Sequence, residues 1–275
     1  MDKEAVFCLE KLCEDVRKEI ARCGYESGRG HISSALSSVE ILVSLYFGGF
    51  VDIDKVIHNC LDRDRVILSK GHAGLALYSV LIKAGVMEHS MLEGFASREG
   101  KLSTHPVLDE VHGIEMSSGS LGQGIGFACG TALAEKMQKS GYHTYVIVGD
   151  GELQEGSNWE SMLFASQMKL NKLTVIVDQN GLQISGKVDD INAVKPLKEK
   201  FDAFGFYTIE VDGHNVKALT EALEEPSEYK PKAIIANTVK GKGISFIENR
   251  NGWHGKGLTL QQYQQFLEEV KQNHG

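Results

Sequence analysis

With 275 residues, 42% of them hydrophobic and 24% charged, the chain has material for one substantial core and the composition of an ordinary soluble globular protein. Lys plus Arg number 29 against 37 Asp plus Glu, a net charge of −8, and no basic stripe interrupts the sequence, so nucleic acid is disfavoured as a partner. The charge-interrupted start "MDKEAVFCLEKLCEDVRKEI" is neither a signal nor a transit peptide, and no run of about 18 apolar residues suits a bilayer.

Apolar positions 5, 6, 9, 12, 13, 16 and 20 follow a helical period, which predicts a helix over 3–23 ended by Gly24. "SSALSSVEILVSLYF" predicts a second helix, with Ser33 or Ser34 as its N-cap. "DRVILSKGHAG" reads as a short strand entering a glycine turn, and "LALYSVLIKAG" as the helix after it. Residues 94–120 lack periodicity and are rich in Gly, Ser and His; so long a loop in a compact domain points to function. A helix over about 122–139 precedes the strand "HTYVIVGD", and a helix around 157–169 precedes "KLTVIVDQN". "FDAFGFYTIEV" straddles a helix–strand junction, "VKALTEALEE" is helical, "PKAIIANTVKGKG" is a strand running into a glycine-rich loop, and "TLQQYQQFLEEVKQ" closes as a helix. Near-continuous Val/Ile runs alternating with amphipathic helices predict a single α/β domain over 1–275, a parallel sheet with helices on both faces. Cys8, Cys13, Cys23, Cys60 and Cys129 are irregularly spaced, an odd count without a secretory signal, which reads as reduced thiols in the cytoplasm.

Ligands bind such sheets beyond the carboxyl ends of the strands. Asp150 and Asn180 each stand where a Val/Ile run stops, 30 residues apart, about one βαβ unit. A carboxylate and an amide carbonyl are hard ligands suited to Mg²⁺ or Ca²⁺, and Gly149 and Gly151 let backbone N–H groups approach a phosphate. On this pair alone, Asp150 as a capping turn residue and Asn180 as a turn former is an equally good reading. "GLQISGKV" has P-loop spacing, but Val188 replaces the metal-reaching hydroxyl and no clear helix follows. "GQGIGFACG" misses the dinucleotide fingerprint because Phe127 takes the third glycine's place; helix packing and close backbone approach suit it better. His31, His72, His105 and His254 lie in glycine-flanked loops, where imidazoles can bind hydroxyls or phosphates and move protons. His58, His89, His143 and His274 are expected at the surface; His112 and His214 have no assignment.

"GDGELQEG" with Asn180 behind it resembles the thiamine diphosphate fingerprint. With "SKGHAGLALYSVL", "EMSSGSLGQGIGFACG" and "TVKGKGISFIENRNGWHGKGL" in the same order, the sequence from about 15 to 260 resembles the N-terminal, diphosphate-binding part of transketolase. The resemblance implies a thiamine diphosphate-binding fold and two cofactors, thiamine diphosphate and Mg²⁺ (or Ca²⁺/Mn²⁺). It implies Asp150, Asn180 and the carbonyl of Leu182 as metal ligands. Gly151, His72 and His254 fall to the diphosphate, Leu121 to the cofactor rings, and Gly149 and Glu155 also to the cofactor-binding set. His31, His72, His105 and His254 would surround a donor sugar phosphate, with His254 and His31 best placed to take the proton of its C3 hydroxyl. Glu155 and Glu160 match acidic positions facing a partner.

Transketolases carry a second, pyrimidine-binding domain and a third behind it, and neither follows in these 275 residues. The resemblance therefore implies one subunit of a split transketolase, an α2β2 assembly with a C-terminal, pyrimidine-binding subunit, inactive by itself. The sequence departs from the family in the serines of "HISSALSS", in Ser120 and in Gln179, none of which is an expected ligand. The alternatives are a 1-deoxyxylulose-5-phosphate synthase-like or 2-oxo acid dehydrogenase-like subunit, or a non-catalytic regulatory subunit.

Overall fold

Each central strand divides its side chains between two cores. Along β2 (Thr144–Gly149), Tyr145 and Ile147 enter one buried cluster, while Val146 and Val148 enter the other. A period of two with both faces buried is what a continuous Val/Ile run must produce in a parallel sheet. The computed structural model describes residues 1–108 and 112–272. Its sheet joins β1 (Arg65–Leu68), β2, β3 (Leu173–Gln179), β6 (Tyr207–Asp212) and β7 (Lys232–Asn237) in the order β1-β2-β3-β7-β6, and every pairing is parallel. β6, at the edge, is only partly covered: Ile209 and Val211 are half-buried, whereas Glu210 and Asp212 are exposed.

One face is covered by α1 (Lys3–Ser27), α2 (Ile32–Leu36), α3 (Val39–Phe47), α5 (Gly74–Lys83), α10 (Val216–Glu224) and α11 (Leu260–Gln272). The other carries α6 (Gly124–Gln138), α7 (Gly156–Gln167) and α9 (Leu197–Ala203). The short α4 (Ile53–Ile57) precedes β1. No element is assigned between the 3-10 turn His89–Leu92 and α6 among the described residues, so the expected long loop is present.

Local expectations fail at four places. α1 continues past Gly24 and ends at Gly28, whose φ of 61° makes it the left-handed cap. A Cβ at Gly24 would lie 2.2 Å from Cδ1 of Ile32, so this glycine admits a neighbour instead of stopping the helix. The second helix is two, α2 and α3, interrupted at Ser37 and Ser38, and Ser33 and Ser34 lie buried inside α2 without capping it. "GLQISGKV" folds as a hairpin of β4 (Leu182–Gln183) and β5 (Gly186–Lys187), and a five-residue helix, α8 (Val188–Asn192), does follow it. His143 is half-buried, its Nε2 2.8 Å from the Thr174 hydroxyl and its ring stacked on Tyr145, whereas His58, His89 and His112 are exposed. His274 lies outside the described residues. All five cysteines are free thiols, and no helix among the described residues is long and apolar enough to cross a membrane.

Candidate active site

The carboxyl ends of β1, β2, β3 and β7 open on a cavity of about 480 Å³, and every expected site residue except Glu160 lines it. Glu160 stands exposed on α7. The four loop histidines, separated by up to 223 positions in sequence, meet there. His31 has ring-centroid distances of 4.7 Å to His254 and 5.6 Å to each of His72 and His105, and His72 lies 5.4 Å from His254. Burial holds His31 and His254 down to about 4, helped by the nearby Lys240 and His105; it holds His72 and His105 below the usual histidine value as well. All four are neutral at pH 7 and can accept a proton. Nδ1 of His31 and Nδ1 of His254 are buried without a hydrogen-bond partner in the protein.

Asp150 and Asn180 sit on adjacent strand ends, β2 being paired with β3 up to Gly149 opposite Asp178. The Asp150 carboxylate accepts from the N–H of Gly151 at 2.8 Å and of Gly181 at 2.7 Å. This keeps the capping role that its position suggested and leaves lone pairs free for a ligand. Burial nevertheless pushes the carboxyl up to about 6, against the pull of those two N–H groups. The Asn180 side-chain oxygen accepts from the N–H of Leu182 at 3.1 Å, and the Leu182 carbonyl accepts from Nζ of Lys240 at 3.1 Å.

Three charged residues of this site are absent from the set expected on sequence grounds. Lys240 is 4% exposed, lines the cavity, and is held down to about 8 by burial and by Lys70. Lys70, 1% exposed, forms an ion pair with Asp178 at the floor. Burial works against the Asp178 carboxylate, but Lys70 and the hydroxyls of Thr238 and Ser37 keep it below the usual range. Glu152 takes the N–H of Gly122 at 2.9 Å, the N–H of Gly149 at 3.2 Å and the Ser69 hydroxyl, which ties the ends of β1 and β2 to the loop entering α6. A signal was available: both lysines stand beside glycines in "SKGHAG" and "VKGKG", and Glu152 lies inside "GDGELQEG".

Chemically, the cavity pairs a carboxyl held up with an ammonium held down. An oxygen-coordinated cation relieves the first and a phosphate anion the second. The donor set is an acid, an amide and a carbonyl, the hard oxygens that a divalent ion shared with a diphosphate takes.

The family model described as the thiamine diphosphate binding domain of transketolase matches residues 20–274. The chain belongs to the transketolase family. It is 41% identical over 266 residues to an apulose-4-phosphate transketolase subunit from Actinobacillus succinogenes, covering 96% of each chain. It is 38% identical to a 6-deoxy-6-sulfo-D-fructose transketolase subunit from a Clostridium species, covering 89% of each. Human transketolase is 36% identical, covers 98% of this chain, and is matched over only 43% of its own length. The crystal structure of Campylobacter jejuni transketolase superposes with a TM-score of 0.86 at 27% identity, over 98% of this chain and 43% of that one. These matches support a transketolase-type, thiamine diphosphate-binding subunit over the synthase-like, dehydrogenase-like and regulatory alternatives.

Proposed function

We propose that the chain is the diphosphate-binding half of a two-chain transketolase that moves a two-carbon ketol unit from a ketose phosphate to an aldose acceptor. The observation that carries this is the union of four neutral histidines with Asp150, Asn180 and Lys240 around one cavity. When bound, thiamine diphosphate supplies the nucleophilic carbon and the electron sink for the two-carbon fragment. Asp150 and Asn180 would hold Mg²⁺ (or Ca²⁺/Mn²⁺) together with the Leu182 carbonyl, which here accepts from Nζ of Lys240. Lys240, with Gly151 and the rings of His72 and His254, would meet the charge of the diphosphate. Gly149 and Glu155 would complete the cofactor wall, and Leu121 would meet the rings. His254 or His31 takes the proton of the donor's C3 hydroxyl as the C2–C3 bond breaks, and His72 and His105 orient the sugar. The relatives' names, which carry apulose-4-phosphate and 6-deoxy-6-sulfo-D-fructose, support a sugar substrate with an anionic end.

The partner is a C-terminal, pyrimidine-binding subunit, with α2β2 as the assembly and 1–275 as one domain. Three observations support it: full-length transketolases are matched over 43% of their length, two relatives are called subunits, and an apolar face lies open next to the site. On that face, Phe127, Leu163 and Phe164 are exposed on α6 and α7 near Glu155 and Glu160. Phe127 also lines a groove of about 490 Å³ together with Gly130 and Tyr142.

Asp150→Ala should abolish Mg²⁺-dependent thiamine diphosphate binding by the assembled complex, measured calorimetrically. Unchanged cofactor affinity would leave a non-catalytic scaffold as the better reading.

A further inference from the structure

The segment between β7 and His254 carries Lys240, and its backbone is held on both sides of that residue. The N–H of Val239 donates to Nε2 of His214 at 2.7 Å, the N–H of Gly241 donates to the Ser33 carbonyl at 2.9 Å, and the Lys242 carbonyl accepts from Nε of Arg17 at 3.1 Å. Two of these three anchors end on a single carboxylate. Glu40 of α3, 5% exposed, takes the Arg17 guanidinium on Oε1 and Nδ1 of His214 on Oε2 at 3.0 Å.

The hydrogen bonds fix the state of the ring. Nε2 of His214 receives an N–H, so a neutral ring carries its hydrogen on Nδ1, the atom that faces Glu40. A carboxylate therefore orients the imidazole, and the imidazole holds the backbone immediately before Lys240. On the other arm the approach is as close as backbone permits: a Cβ at Gly243 would lie 2.7 Å from Cδ of Arg17. Arg17, Glu40 and His214 themselves do not line the cavity, whereas Lys240 does.

We propose that Glu40, acting through His214 and Arg17, is the positioning residue for Lys240, so that cofactor affinity depends on a carboxylate in α3 that never touches the cofactor. This rests on the reading of the cavity as the diphosphate site. A role confined to tying α1 and α3 to the loop predicts something different: lower stability, with cofactor affinity untouched in the folded protein.

The test is a thiamine diphosphate titration, with Mg²⁺ present, of the chain assembled with its partner subunit. Glu40→Gln, His214→Phe and Lys240→Met should each weaken binding about tenfold or more, the scale of one lost hydrogen bond to a charged group. Glu40→Gln combined with Lys240→Met should bind no worse than Lys240→Met alone, because both changes remove the same contact. Folded single variants with wild-type affinity, or fully additive losses in the double variant, overturn the proposal. His214→Phe keeps the question open to measurement if Glu40→Gln does not fold. A second readout needs neither cofactor nor partner: ¹⁵N imidazole spectra of the isolated chain should report His214 with hydrogen on Nδ1 and Nε2 accepting, and an Nε2–H ring sinks the relay. Asp150→Ala separates the levels. Retained affinity there brings down the cofactor reading and this inference together. Lost affinity in Asp150→Ala, with none lost in Glu40→Gln or His214→Phe, brings down this inference alone.

Discussion

Lys70 and Asp178 are 1% and 0% exposed in their side chains, so each is the other's main substitute for water. Removing one partner from such a pair leaves an uncompensated buried charge, at a cost of about 3–5 kcal/mol. Asp178→Asn should therefore lower the urea-unfolding free energy by about that much. It should cost more than Asp189→Asn, which breaks a half-exposed pair with Lys195. A second residue-scale consequence concerns acid. Burial holds His31 and His254 down to about 4 and His143 down to about 3. In the unfolded chain all three take protons near 6.5, and in the folded protein they do not. Stability is therefore complete above about pH 6.5 and falls as pH drops toward 4. Asp150, pushed up to about 6, acts in the opposite sense and offsets part of the fall. The unfolding midpoint should thus drop between pH 7 and pH 5, and His143→Gln, which keeps a group for Thr174, should shrink that drop. The four loop histidines were legible in sequence because glycines mark loops. The burial of His143 was not, because it depends on Thr174, 31 residues away.

At the scale of elements, helical and strand periods located all the regular segments of the main sheet and its flanking helices, since those patterns record which face meets a core. The boundaries depended on tertiary partners instead. Gly24 carries the local signature of a helix end, yet the helix continues, because Ile32 occupies the space of its missing side chain. Ser37 and Ser38 interrupt the second helix where both hydroxyls donate to Asp178, at 2.7 and 3.0 Å. Such a contact spans about 140 residues and leaves no local trace. The end of α1 also receives the loop that carries His254. The N–H of Leu258 donates to the Gly24 carbonyl at 3.1 Å, and a Cβ at Gly257 would lie 2.3 Å from the carbonyl carbon of Gly28. Backbone cannot rotate away as a side-chain tip can. Gly257→Ala should accordingly cost about 1–3 kcal/mol, the range for overpacking, and displace His254. The check is a paired measurement of thermal midpoint and of cofactor binding by the assembled complex. Unchanged values for both would mean that this loop is not seated on α1.

At the scale of the whole molecule, what the chain exposes bears on function as much as what it buries. Leu121 and Glu155 line the cavity just ahead of α6 and α7, and those helices present Phe127 at 45% exposure, Phe164 at 43% and Leu163 at 60%. Apolar side chains gathered beside polar ones next to a site mark a surface meant to be covered. The four histidines line that cavity, and the family resemblance implies a pyrimidine-binding half on another chain. Purified alone, with thiamine diphosphate and Mg²⁺, the chain should give no ketol transfer from a ketose phosphate, and turnover should appear on adding the pyrimidine-binding subunit. Phe127→Glu places a charge on the outer face of α6, where it meets no core. It should leave the stability of the isolated chain within about 0.5 kcal/mol of wild type, as surface changes do, while weakening copurification with the partner and the turnover that depends on it. Full activity of the isolated chain would refute the split-enzyme reading. Undiminished assembly of Phe127→Glu would instead move the partner's seat to another face and leave the chemistry of the cavity intact.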